Sequence, residues 1–326
     1  MRKPGLLQIG PVPDRMRLRF EAEWQVTRLF DYEEGDRLNF LAGAGSQFTG
    51  IATSGHWGVP ADIMAALPNL KVISSNGVGY DTIDAAAAAA RGVLVSHTPD
   101  VLNDDVADTA ILLWLALTRH LLQGDRWVRS GDWATHGAYP LTRSVRGQVM
   151  GILGLGRIGR TIATRAEAFG AKIVYHGRTK QVVPYEFFAS LTDMAAACDV
   201  LVCVTPGGPE TQHLVGADVL RALGPEGALI NVARGSVVDE TALIAALDSG
   251  ALGGAGLDVF EHEPNVPAAL TERENVVLAP HMASGTIETR QAMGDLVCDN
   301  LSRFLVDGRV LTPVPECADL RTGGSV

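Results

Sequence analysis

The sequence predicts an α/β fold built on parallel sheets that are covered on both faces. Short β-branched runs alternate with helical patterns along most of the 326 residues. Those runs are apolar without strict alternation, as expected of strands buried on both sides. A chain of this length corresponds to about two domains.

The expected strands, in order, are 49–53, 71–75, 92–96, 148–153, 172–176, 200–205, 228–232, 254–259 and 275–279. Two longer helices look like connectors. The first follows Pro99, with Asn103 as its expected cap, Asp104, Asp105 and Asp108 favouring its positive end, and Val106, Ala110, Leu113 and Leu117 at helical spacing. The second runs from about 287 to 305, with Met293, Leu296, Val297, Leu301 and Phe304 on one face and Gly308 and Pro313 as stop signals. The tail after Pro315 has few apolar residues and is expected to be loose.

Composition excludes several function classes. Hydrophobic residues at 47% and charged residues at 20% fit a folded chain. A net charge of −10 argues against sequence-independent nucleic-acid binding and against an anionic membrane surface. The first ten residues hold too short an apolar run for a signal peptide, and the alanine run at 85–90 is bracketed by Asp84 and Arg91. Cys198, Cys203, Cys298 and Cys317 make no CxxC pair. They read as reduced core thiols of a cytoplasmic protein, with no metal site expected.

The strand 148–153 runs directly into Gly154-Leu155-Gly156-Arg157-Ile158-Gly159 and then into a helical pattern ending near Gly170. Gly154 permits the tight turn, Gly156 lets the backbone approach a pyrophosphate, and Gly159 allows close packing of helix on strand. The N-terminus of that helix, with Arg157 and Ile158 as expected cofactor contacts, then presents N–H groups and its positive dipole end to the phosphates. The next strand selects the dinucleotide. An acid some 20 residues on would hold the ribose 2′-OH of NAD. None lies between Ala171 and Val183, and the position is taken by Gly177-Arg178-Thr179. Arg178 offers a fork to a 2′-phosphate and Thr179 a hydroxyl, so NADP(H) is the expected cofactor, with NAD(H) remaining possible.

Three later segments put titratable residues at strand C-terminal ends, where open α/β sheets place ligands. They are Asn231-Val232-Ala233-Arg234-Gly235, Asp258-Val259-Phe260-Glu261-His262-Glu263-Pro264 and Pro280-His281-Met282-Ala283-Ser284. Taken singly, each has a bland reading: a surface ion-pair partner, a helix-start acid, a satisfied buried histidine.

Arginine, then glutamate before proline, then histidine, downstream of Gly154–Gly159, resembles the D-isomer-specific 2-hydroxyacid dehydrogenase family, and the Gly177-Arg178-Thr179 turn resembles its glyoxylate/hydroxypyruvate reductase branch. The run 72–84, including Gly77-Val78-Gly79, resembles that family's carboxylate loop, and the run 98–108 resembles the start of its interdomain helix. The resemblance implies a flavodoxin-like α/β substrate domain made of 1–99 and 288–326. It implies a Rossmann-type doubly wound dinucleotide-binding domain at 100–287, with the active site in the cleft and a homodimer as the assembly. Trp127 and Trp133 lie in a segment suited to a partner subunit.

The roles implied are these. His281 donates the proton, and Glu263 fixes its tautomer. Arg234 binds the substrate carboxylate and polarises the carbonyl, with main-chain N–H groups of Val78 and Gly79 completing the carboxylate cradle. Asp258 holds the nicotinamide carboxamide, Val232 and Ala233 lie along the ring, and Thr205 and Pro206 form the cofactor-contacting turn. The activity implied is NADPH-preferring reduction of glyoxylate or hydroxypyruvate to D-2-hydroxy acids. A reductase of 2-ketogluconate or another larger 2-oxo acid is the alternative, and a non-enzymatic dinucleotide-sensing co-repressor the distant one. Two departures stand out: Ala283 occupies a position where the family often has glycine, and the loop around His56 and Trp57 is bulky, either lining the substrate pocket or lying on the surface.

Overall fold

Residues 3–320 are described by the computed structural model. They divide into two units: the N-terminal segment through Leu102 together with the segment from Thr286 onward, and Asn103–Gly285. The divisions fall after 102 and after 285, rather than after 99 and 287. Each long helix thereby stays whole in one unit, and Thr286, which caps the second, stays with it.

In the first unit five parallel strands form one sheet. They are β1 (Gly5–Gln8), β2 (Gln25–Arg28), β3 (Phe48–Ser54), β4 (Val72–Asn76) and β5 (Leu94–Ser96), in the order β2-β1-β3-β4-β5. This is the flavodoxin-like order. Leu6, Leu7, Ile51, Val72 and Ile73 are wholly inaccessible, and Phe20, Trp24, Leu301 and Phe304 join the same core. Each such side chain contributes about 1.5–3 kcal/mol by leaving water. Helix Ile287–Asp307 is fixed at both ends, with the Thr286 hydroxyl accepting from the Thr289 N–H at 3.2 Å and Gly308 closing it at φ 69°. Along its length the Ser74 hydroxyl donates to the Val297 carbonyl at 3.2 Å, docking the helix on β4.

The second unit carries seven parallel strands: β6 (Val149–Leu153), β7 (Lys172–His176), β8 (Glu186–Phe188), β9 (Val200–Cys203), β10 (Ala228–Asn231), β11 (Gly254–Leu257) and β12 (Val276–Leu278). Their order is β12-β11-β10-β9-β6-β7-β8. The chain winds outward from β6 through β7 and β8, then returns to β9 on the other side of β6 and continues outward. The reversal between β6 and β9 is the switch point at which doubly wound sheets bind ligands. Helix Asn103–Thr118 packs on this sheet. Trp114 is fully buried, with its indole N–H donating to the Gln148 side chain at 2.9 Å.

Asn103 opens its helix, Asn103–Thr118. Some expectations need correction. The tail is not loose as far as Leu320: Pro315–Cys317 forms a 3₁₀ turn, and Val314 and Cys317 are buried. The rest of that tail, 321–326, lies outside the described residues. Strands β1, β2 and β8 were not anticipated. All four cysteines are reduced and buried, and burial pushes the Cys198 and Cys298 thiols up to about 12. Among the described residues no helix is long and apolar enough to cross a membrane.

Candidate active site

The glycine turn sits at the switch point. Gly154 takes φ 101°, and a Cβ there would come within 3.0 Å of the Thr205 backbone, so the ends of β6 and β9 approach as only a glycine allows. A Cβ on Gly159 would lie 2.3 Å from the Gly154 carbonyl oxygen, which seats the helix Arg157–Ala168 tightly on its strand. Gly156 opens onto empty space at the N-terminus of that twelve-residue helix. These features fit a pyrophosphate: an open backbone approach at the N-terminal, positive-dipole end of a helix. Arg157 and Ile158 occupy the first turn, and Pro206 follows Thr205 at the end of β9.

Gly177, Arg178 and Thr179 follow β7 directly, with Arg178 and Thr179 exposed. The Gly154 N–H donates to the His176 carbonyl at 3.0 Å, so the glycine turn and the basic turn lie side by side. Gln181 ties them further. Its side-chain amide donates to the Leu155 carbonyl at 2.9 Å, and its backbone N–H donates to the buried Tyr175 hydroxyl at 2.7 Å. The structure presents an exposed arginine fork and a hydroxyl, with no carboxylate, at the place where a ribose substituent would fall. This donor set fits a 2′-phosphate and so fits NADP.

The three titratable segments lie at the C-terminal ends of the adjacent strands β10, β11 and β12. After β10, Asn231 turns the chain. Its side-chain oxygen accepts from the Ala233 N–H at 3.1 Å, and its amide donates to the Arg234 carbonyl at 3.0 Å. That fully buried Asx turn is what presents Arg234, with Val232 and Ala233 buried beneath it. After β12, His281 adopts φ 50°, a left-handed conformation uncommon for a side chain of this size. It is held there by its N–H donating to the Asp258 carbonyl at 2.7 Å. Asp258 is buried, and its two carboxylate oxygens accept from the Met282 and Ala283 N–H groups at 2.8 and 3.0 Å. Burial pushes its carboxyl up, against those two backbone donors. Its observed contacts therefore hold the histidine loop, a role not anticipated alongside that of carboxamide acceptor.

Glu263 completes the set. Its Oε2 accepts from His281 Nδ1 at 2.7 Å and its Oε1 from the Phe260 N–H at 3.0 Å. Burial acts to raise its carboxyl. The hydrogen bonds from His281 and Phe260 and the charges of His281 and Arg234 outweigh burial and hold it below the usual carboxylate range. With Nδ1–H engaged, the imidazole is oriented and its Nε2 is the nitrogen left to exchange a proton. A guanidinium whose Nη1 donates to the Ala233 carbonyl at 2.9 Å, an imidazole oriented by a carboxylate and a dinucleotide cradle on one sheet edge suit hydride transfer to a carbonyl beside a carboxylate.

A sequence profile of the D-isomer specific 2-hydroxyacid dehydrogenase NAD-binding domain matches residues 111–283. The chain belongs to the D-isomer specific 2-hydroxyacid dehydrogenase family. It is 44% identical over 315 residues to glyoxylate/hydroxypyruvate reductase A of Arabidopsis thaliana, covering 96% of this chain and 100% of that one. It is 43% identical over 315 residues to the 2-ketogluconate reductase of Gluconobacter oxydans, covering 96% and 99%. Among solved structures, the NADPH-dependent glyoxylate/hydroxypyruvate reductase of Sinorhizobium meliloti, in complex with NADP and malonate, superposes with a TM-score of 0.90 at 45% identity, covering 99% of each chain. As a 2-hydroxyacid dehydrogenase, the protein is an NAD(P)-dependent oxidoreductase.

In the first unit, Gly77-Val78-Gly79 directly follows β4. His97 Nδ1 meets the Val78 carbonyl at 2.9 Å, and the Gly77 N–H donates to the Thr98 hydroxyl at 3.0 Å. Both braces come from the residues following β5, so the loop is carried on two strand ends. Trp57 is 48% exposed, stands edge-on to His56 and covers Gly10, where a Cβ would lie 2.4 Å from the indole.

Proposed function

We propose that the protein is an NADPH-preferring reductase of small 2-oxo acids, glyoxylate and hydroxypyruvate foremost, giving D-2-hydroxy acids. The observation that carries this reading is the His281–Glu263 couple on the same sheet edge as Arg234, beside a 2′-phosphate-type basic turn in place of a ribose-binding acid. The bound cofactor supplies the hydride. Arg234 receives the substrate carboxylate as a fork and polarises the neighbouring carbonyl. His281 gives a proton from Nε2 to the carbonyl oxygen as charge develops there, and Glu263 steadies the imidazolium and its tautomer. The Gly77–Gly79 loop is assigned to carboxylate binding through the Val78 and Gly79 N–H groups. Asp258 is assigned a carboxamide contact beside its observed bonds to the histidine loop. Reduction of a larger acid such as 2-ketogluconate is the second reading, favoured by the similarity to a relative of that activity. We place the enzyme in the cytoplasm as a homodimer, supported by its buried reduced thiols and by exposed Trp133 and Val128 on the second unit.

The test is kcat/KM for glyoxylate against its methyl ester, with hydroxypyruvate and 2-ketogluconate alongside. A guanidinium fork matches a carboxylate in both charge and geometry, and an ester in neither, so the ester should be slower by about 10³-fold or more. Arg234→Lys should lose most of the rate on the acid, because a point charge does not reproduce the two-pronged contact. Equal rates on acid and ester in the wild type would refute the reading.

A further inference from the structure

Arg234 and Glu263 stand on two different strand ends, and a substrate held by Arg234 must meet the imidazole that Glu263 orients. A misplacement of about 1 Å costs up to about 10²-fold in rate. One residue outside the catalytic set is bonded to both loops. The His213 N–H donates to the Ser236 carbonyl at 2.8 Å. The lacing continues with Val215 N–H to Val237 O at 3.0 Å and Asp239 N–H to Val215 O at 3.1 Å, along the segment that follows Arg234. The His213 ring turns the other way, with its Nε2 2.6 Å from Glu261 Oε1.

Glu261 lies on the turn that carries Glu263. It follows Phe260, whose N–H binds Glu263, and its own N–H reaches the buried Glu240 carboxylate at 3.4 Å. The two loops also meet backbone to backbone. A Cβ on Gly235, next to Arg234, would fall 1.9 Å from the Phe260 carbonyl carbon and oxygen. His213 holds φ 51° to make both of its contacts, in the same left-handed region as His281. The His213 side chain is 41% exposed and that of Glu261 20% exposed. An ion pair so placed adds little stability, so geometry is what it has to offer.

We propose that His213 and Glu261 form a clasp that fixes the Arg234 loop against the Glu263 turn, making them positioning residues for the reaction. The inference rests on the catalytic roles assigned above. The test uses the NADPH-loaded enzyme and glyoxylate. His213→Ala should lower kcat about 10-fold or more while leaving the KM for NADPH unchanged. His213→Gln, which keeps a side-chain donor at similar reach, should restore most of the loss. In a Glu263→Gln background the His213→Ala penalty should shrink, because the placement of that carboxylate no longer matters.

A substrate-free readout separates this proposal from the functional one. The ring ¹⁵N resonances of His281 should move in His213→Ala and return in His213→Gln. If they do so while no 2-oxo acid is reduced by the wild type, the functional reading fails and the clasp stands. An unchanged kcat, a penalty equal in both backgrounds, or unmoved His281 resonances in a variant whose circular dichroism is native would overturn the clasp.

Discussion

The two sheets of this protein are built alike and equipped differently. Both are all-parallel, and both send their strand C-terminal ends into turns that carry the candidate ligand-binding residues. In the second unit those turns bear Arg234, Glu263 and His281, held by buried Asn231 and Asp258. In the first unit the turn after β4 holds glycines and a valine, braced through the Val78 carbonyl and the Gly77 N–H. One architecture therefore supplies titratable chemistry in one place and oriented main-chain dipoles in the other. Substitutions in the second unit should fall mainly on turnover or cofactor choice, and those in the first on substrate affinity.

The sharpest way to break that division is His281→Ala. Turnover should drop by about 10²–10⁴-fold, the usual contribution of general acid catalysis, with NADPH binding nearly intact by fluorescence titration. Retained turnover would remove the imidazole from the mechanism. Next in size is Arg178→Ala. The KM for NADPH should rise about 10- to 150-fold, the equivalent of a charge-assisted contact of roughly 1.5–3 kcal/mol, while that for NADH stays nearly constant. Equal effects on both cofactors would dissolve the 2′-phosphate assignment.

In the first unit, Thr98→Val removes the hydroxyl that accepts from the Gly77 N–H. The KM for the oxo acid should rise about 5- to 30-fold, corresponding to an unsatisfied donor worth roughly 1–2 kcal/mol, with kcat little changed. A fall in kcat alone would contradict the division between the sheets. The gentlest probe is Glu263→Gln. Its carboxyl is held below the usual carboxylate range, so the anion persists as pH falls until that lowered value is reached. The stability that the pair contributes is present above the ordinary carboxylate pKa and lost only below it. Removing the anion should move the pH profile of reduction to lower pH, because the imidazolium loses its partner. An unmoved profile would make Glu263 purely structural.

The legibility of the sequence differs between the same two regions. The central strands of the second unit were readable because each is an apolar run closed by a polar or glycine turn. Of the edge strands, β5 and β12 are buried apolar runs and were readable, whereas β2 is half-exposed and mostly polar and β8 is only partly buried. Central β1, wholly buried, was missed because Gly5-Leu6-Leu7-Gln8 holds no β-branched residue to mark it as a strand. Arg234, Glu263 and His281 stood out because their types and order carry a chemical meaning. Asn231, Gln181, His213 and Glu261 did not, because their roles exist only through partners. Gln181 meets a carbonyl 26 residues away and His213 a carboxylate 48 residues away, and neither spacing leaves a periodic trace in the chain.

The buried thiols give the molecule an internal clock. Cys298 and Cys317 lie in the first unit, Cys198 and Cys203 in the second, and all four are sealed from solvent. A neutral, inaccessible thiol does not react with an alkylating reagent, so labelling has to wait for its surroundings to open. Under native conditions, the order in which the two pairs of peptides gain mass would report which unit breathes first. The same sealing leaves the four thiols indifferent to mild oxidants for as long as the chain stays folded.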